Sequence, residues 1–226
     1  MKKFLTLILL LPLLICSCEP DKVHEGVLEY EITYPNCDIS GFMQAILPET
    51  MTIAFKGTKI KTTIARGEIF TTEIITDELD HSVEMRLDFG DKLIYALLSE
   101  EEVKELIASQ PVYTIKSLGA TDSICDLVAT NYSVDCKSDT INRQNAWFTE
   151  ELAPQEAYWF TSYSSTKGMP LIYDAERYGV MMHLESISLD EREVTDSEFE
   201  RDPALVKVSF EEYESEVQEL FDILLK

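Results

Sequence analysis

The sequence predicts a mainly β protein with two helices. This is an α+β fold whose strongly curved antiparallel sheet stays open as a half-barrel, with a C-terminal amphipathic helix. Three observations predict it. Apolar residues alternate with a period of two in about ten segments. Helical spacing with capping signals occurs only twice, and no linker or shift of composition divides the chain after its N-terminal segment. A body of roughly 200 residues suits one domain, and a sheet of that many strands tends to curl.

The elements follow in order. From Gly26, Leu28, Tyr30, Ile32 and Tyr34 alternate with Glu29, Glu31 and Thr33, the pattern of a half-buried strand. Met51, Ile53 and Phe55, then Ile60, Thr62 and Ile64, make two strands joined by a turn at Lys56 to Lys59 through Gly57. Further strands are expected over 67–76, over 82–89 with Val83, Met85, Leu87 and Phe89 on one face, and over 91–98. Ser99 and Glu102 have capping-box spacing, and Val103, Leu106 and Ile107 form a short stripe that stops before Pro111. Strands are then expected over 111–117, 124–134 and 143–149, followed by a long one over 178–189 with Tyr178, Val180, Met182 and Leu184 on one face. Ser209 and Glu212 repeat the capping box ahead of Phe210, Tyr213, Val217, Leu220, Phe221 and Leu224. Such a helix needs a sheet face to lie on. A curled sheet with a covered inner face is an incomplete barrel, its apolar interior either filled or left partly open for a ligand.

The N-terminus carries an address. Lys2 and Lys3 precede an apolar run from Phe4 to Ile15 broken only by Thr6 and Pro12, the layout of a secretory signal. The run is well short of the ~20 residues a spanning helix needs. Cys16-Ser17-Cys18 follows. Small residues precede Cys18, whereas Leu14 and Ile15 precede Cys16, so the stretch resembles a bacterial lipobox with Cys18 as the acylated residue. That resemblance implies a signal over 1–17, an acidic tether over 18–25 and one domain over 26–226. It also implies attachment to the membrane through N-terminal acyl chains, where each buried methylene contributes ~0.8 kcal/mol. Glu19 and Asp21 resemble the surface-export signals of some outer-membrane lipoproteins, and the choice between periplasm and surface is left open.

Composition excludes some partners. The chain has 42 acidic and 19 basic residues; with Lys2 and Lys3 removed, 42 acidic against 17 basic residues leaves a net charge of −25. That surplus argues against nucleic acid and against flat docking on anionic lipid, both of which need Lys and Arg. Cys37, Cys125 and Cys136 are an odd set without metal spacing, from which one disulfide of unassigned partners could form.

Chemistry is sparse. His24, His81 and His183 stand apart, and His183 with Glu185 on one strand face falls short of the three or four ligands of a closed metal site. No phosphate loop or nucleophile elbow is present. The acidic run over 185–202 has no glycine for the sharp turn of a calcium loop. No catalytic residue, metal or cofactor is therefore expected, and the chain does not read as an enzyme. Aromatics are more informative, with eight in residues 147–178. Tyr158, Trp159, Phe160 and Tyr163 lie between Pro154 and Gly168 in a presumed loop, with Trp147 upstream and Met169 beyond. These six are the candidates for ligand or partner contact, either as an exposed patch or as a loop folded over the core.

The stretch 167–214, with Gly168, Pro170 and Leu171 as a Gly-x-Pro-Leu turn, a strand opened by Gly179, and Asp196-Ser197-x-Phe199 leading to Pro203 and a capped helix, resembles the end of the LolA-like (outer-membrane-lipoprotein-sorting-like) domains of Gram-negative bacterial lipoproteins. Trp147-Phe148-Thr149 and the opening strand "GVLEYEITY" are similar to that family too. Asp126, Leu127, Val128 and Ala129 stand where the family often has Gly-Tyr-x-Cys, which weighs against a family disulfide. The resemblance implies an open half-barrel in the cell envelope, related in shape to carriers and receptors of lipids or lipoproteins. The expectation is thus an outer-membrane lipoprotein whose apolar groove takes a lipid, acyl chain or lipoprotein. The alternative is an interaction lipoprotein with a filled core that meets a protein or glycan through its aromatic loop.

Overall fold

Alternation builds most of this molecule. The computed structural model describes residues 22–35, 47–136 and 143–224. The signal segment, Cys16, Cys18 and Cys37 lie outside them.

In chain order the elements are β1 (Glu25–Thr33), β2 (Thr50–Lys56), β3 (Lys59–Arg66), β4 (Phe70–Asp77), β5 (Ser82–Phe89), β6 (Lys92–Leu97) and helix α1 (Glu100–Ser109). They continue with β7 (Tyr113–Ile124), β8 (Leu127–Cys136), β9 (Arg143–Thr149), β10 (Met169–Arg177) and β11 (Val180–Asp190). A 3-10 turn (Asp196–Glu198), β12 (Val206–Lys207) and helix α2 (Phe210–Leu224) complete the order. All twelve strands join one sheet in the order β12-β6-β5-β4-β3-β2-β1-β11-β10-β9-β8-β7. Every pairing is antiparallel except β12 with β6. The sheet is an unclosed half-barrel with β7 and β12 at its ends.

The central closure is β1 against β11, which sets Ile32 opposite Leu184 and joins a meander of six strands to one of five. Leu28, Tyr30, Ile53, Phe55, Leu171 and Leu184 are buried beneath it. The inner face carries two apolar clusters. One gathers β1, β2 and β8–β11 with Leu152, Ala157, Tyr158 and Tyr163 from the long β9–β10 connection. The other gathers Phe70, Val83, Met85 and Leu87 of β4 and β5 with Val103 and Leu106 of α1 and Tyr213, Val217 and Leu220 of α2. Both helices start as their sequence dictates. The Ser99 side chain accepts from the Glu102 amide while Glu102 accepts from the Ser99 amide, a complete capping box. Ser209 Oγ accepts from the Glu212 amide at 3.1 Å. Lys92 of β6 then fastens α2 by pairing with Glu216 and, at 3.2 Å, Glu219.

The acidic segment after β11 is a strap. It crosses the outer face from β1 to β6, with the Val194 amide donating to Glu25, Lys56 Nζ to Asp196 Oδ1 at 2.8 Å, and Arg201 to Glu84. Arg86, buried on β5, anchors its middle by donating to the carbonyls of Phe199 (2.7 Å) and Glu200 (3.0 Å). Arg201 also lies over the Tyr95 ring at 3.6 Å.

Some expectations need correction. Met169–Arg177 is a full strand rather than a turn: only Gly168, at φ +84, is turn-like. Its Pro170 is tolerated because the β9–β10 register shifts between Pro170 and Ile172, so no ladder amide is needed there. Tyr178 does not open β11. It forms a turn with Gly179, both at positive φ (52° and 75°). β7 runs on to Ile124, and Cys125-Asp126, also at positive φ, turns it into β8. The described end of the tether is docked, since Val23 donates to the Glu151 carbonyl at 2.9 Å and accepts from the Ala153 amide. No disulfide joins Cys125 to Cys136. No helix of the described residues is long and apolar enough to cross a membrane.

Candidate functional site

Between the two inner clusters lies a cavity of about 460 Å³. It belongs to both halves of the fold. Met51, Thr62, Ile64 and Ile74 come from β2–β4, Leu106 from α1, and Tyr173, Ala175, Met182 and Leu184 from β10 and β11. Tyr158, Phe160 and Tyr163 come from the β9–β10 connection, and Glu214 and Gln218 from α2.

Strand β10 leads from core to rim. Its inward row runs from the fully buried Leu171 through Tyr173 and Ala175 to Arg177 at the mouth. The β9–β10 connection is wound by successive i to i+3 bonds: Trp159 to Glu156, Thr161 to Tyr158, Ser164 to Thr161 and Thr166 to Tyr163, at 2.9–3.0 Å. This winding turns Tyr158, Phe160 and Tyr163 inward, at 8%, 9% and 3% exposure. Gln110 ties the connection to the end of α1, its amide donating to the Phe160 carbonyl and accepting from the Ser162 amide.

The deep wall is tyrosine. Tyr173 meets Tyr30, Tyr158 and Tyr163 edge-on at centroid distances of 6.3, 5.4 and 5.7 Å. Its hydroxyl lies 2.7 Å from that of Tyr158, Tyr163 donates to the Asp174 carbonyl, and Tyr30 donates to the Pro170 carbonyl. Burial pushes the hydroxyls of Tyr30 and Tyr173 well up, raises those of Tyr158 and Tyr163, and takes Tyr113 up to about 12. The wall is therefore neutral across the physiological range, and the hydroxyls of Tyr30, Tyr158, Tyr163 and Tyr173 are already bonded, leaving ring surface to the cavity.

Charge sits at the mouth. Arg177 Nη2 donates to Glu214 Oε1 at 3.0 Å, and Tyr178 donates to the same oxygen at 3.0 Å. Burial works against the Arg177 charge, but Tyr178 and Glu214 outweigh it and raise its pKa. Burial likewise lifts Tyr178 to about 12, against the pull of Arg177.

The six candidate contact residues divide. Tyr158, Phe160 and Tyr163 line the cavity. Met169 is wholly buried, and Trp147 packs half-buried against the first cluster. Trp159 packs on Phe160 and His81, at 5.7 and 4.7 Å between centroids. The connection thus folds over the core and does not present an outward aromatic patch. Arg177, Glu214 and Gln110 had no sequence signal, because the rim is assembled by contacts 37 to 50 residues apart.

Elsewhere, His183 pairs across the β10–β11 ladder with Asp174 at 2.5 Å, not with Glu185. In the acidic run, Asp196 pairs with Lys56 and Glu198 takes both ends of Arg192. Among the described residues no three His, Cys, Asp or Glu side chains gather as a metal site would require. Comparison with family models and with curated proteins finds no match for this chain.

Proposed function

We propose that this protein is a lipid-anchored binding protein of the cell envelope. In this reading Cys18 carries the anchor at the outer membrane, and the cavity takes the acyl chain of a lipid or of another lipoprotein. The observation that carries the proposal is the cavity itself, a largely apolar and aromatic chamber between two clusters whose charged side chains are only Glu176, Arg177 and Glu214. That distribution of polarity and a volume within the ~300–1,000 Å³ range of small-molecule sites suit an amphiphile. At the ~30 Å³ that a water-sized group occupies, there is room for about fifteen such groups, enough for a twelve-carbon chain. The lipobox-like segment and the sequence resemblance to LolA-like domains support the same placement. The proposed role is binding without catalysis.

The test is occupancy. The full-length protein, freed of detergent, should enhance the fluorescence of N-phenyl-1-naphthylamine and release it to competing lauroyl compounds. Ala175→Trp places a large ring in the chamber opposite Met182. It should weaken probe binding at least tenfold while leaving the melting temperature within a few degrees. An unmodified protein that gives no enhancement refutes the proposal.

A further inference from the structure

Resting on the reading of the cavity as an acyl-chain site, we infer that its rim selects an amphiphile with an uncharged, hydrogen-bond-donating head, such as a hydroxyl, and rejects carboxylates. The charged side chains of the wall are Glu176, Arg177 and Glu214, two acids to one base. Arg177 Nη2 is committed: it serves Glu214 at 3.0 Å and lies 3.3 Å from the Tyr178 hydroxyl. Glu214 Oε1 takes the Tyr178 proton as well. An incoming carboxylate has no donor of its own. It would meet two carboxylates and have to share the one guanidinium with Glu214, a like charge already bonded to it.

The uncharged rim groups point the same way. Ser109 gives its hydroxyl proton to the Leu106 carbonyl and Ser162 gives its own to the Pro111 carbonyl at 2.5 Å. The Gln110 amide donates to Phe160. The two serine hydroxyls retain acceptor capacity, and the carboxylates of Glu176 and Glu214 add to it. A head that brings donors meets these acceptors, whereas an acceptor-only head is limited to the hydrogens left on Gln110 and Arg177.

The experiment compares 1-lauroylglycerol with laurate as displacers of N-phenyl-1-naphthylamine from the full-length, detergent-free protein at neutral pH. Lauroylglycerol should displace the probe at a concentration at least tenfold lower, about 1.4 kcal/mol. Glu214→Gln, which releases Arg177 for an anion, should narrow that gap to about threefold. This separates rim chemistry from the lower intrinsic hydrophobicity of laurate. Glu176→Gln, at an exposed position, should narrow the gap in the same direction. Laurate equal to or better than lauroylglycerol on the unmodified protein, or a gap unchanged in both variants, overturns the headgroup assignment and leaves the acyl-chain reading standing. Failure of both compounds to displace the probe overturns the two together.

Discussion

Arg86→Met tests how the outer strap holds the fold around the cavity. Arg86 is 5% exposed and makes four bonds: Nε to Glu84 (2.8 Å), Nη1 to Glu73 and to the Glu200 carbonyl (both 3.0 Å), and Nη2 to the Phe199 carbonyl (2.7 Å). Removing one member of a buried ion pair costs ~3–5 kcal/mol, because the remaining charge stays desolvated. Two features lower that figure here. Glu84 keeps a two-pronged contact with Arg201, and Glu73 keeps Lys61 at 3.4 Å. The loss should therefore be about 3 kcal/mol, the low end of that range. For a domain of this size that is a fall of roughly 6–12 °C in melting temperature. Circular-dichroism melts and urea titrations of the two proteins would measure it. A double-mutant cycle with Glu73→Gln should give a coupling of about 1 kcal/mol or more. The strap also delivers β12 and α2, and α2 carries Glu214, so probe binding should weaken alongside stability. A loss below about 1 kcal/mol would refute the idea that Arg86 is the strap's anchor, since exposed pairs alone account for that much.

Other outcomes follow from single features. Gly168→Ala should destabilise by roughly 2–4 kcal/mol in a thermal melt, combining positive-φ strain with overpacking, because φ is +84° and a Cβ there would lie 2.0 Å from the Thr149 carbonyl oxygen. On acidification, the bond from Arg192 that holds the Glu198 carboxyl down at about 2, against an ordinary 4.5, adds stability that is whole above 4.5 and lost as pH falls toward 2. Glu84, held low by Arg201 and Arg86 against the opposing effect of burial, adds loss of the same sign. Melting temperatures of Glu198→Gln should accordingly fall less steeply than those of the unmodified protein across that window. Cys18→Ala should abolish incorporation of a fatty-acid analogue in metabolic labelling, whereas Cys16→Ala should retain it.

Most of the sheet is legible in the sequence because one-sided burial forces alternation, and β1 shows it residue by residue. What is hidden has local causes. Met169, Pro170 and Leu171 are all buried, so β10 opens without alternation and with a proline that argues against a strand. Cys125-Asp126 and Tyr178-Gly179 adopt positive φ without the Asn-Gly or Asp-Gly pairs that announce tight hairpins. The aromatics of the β9–β10 connection stand out by composition, yet their inward direction depends on the i to i+3 winding and on Gln110, neither of which has a sequence period.

The same distinction accounts for the cavity. Alternation tells which residues of each strand face inward, but not what fills the space they enclose. Here two separate plugs do so: α1 and α2 cover the β4–β6 side, and the β9–β10 connection covers the β8–β11 side. Each is fixed by its own anchors, Lys92 to Glu216 and Glu219 for α2, and Gln110, Tyr163 and the Gly168 amide for the connection. Residues of both plugs line the chamber together with Ile64 and Ile74 of the sheet, but leave its volume unfilled. The two plugs meet at Gln110, which bonds Phe160 and Ser162, and bring Arg177 of one side against Glu214 of the other, so the chamber and its charged rim arise from one division of the core.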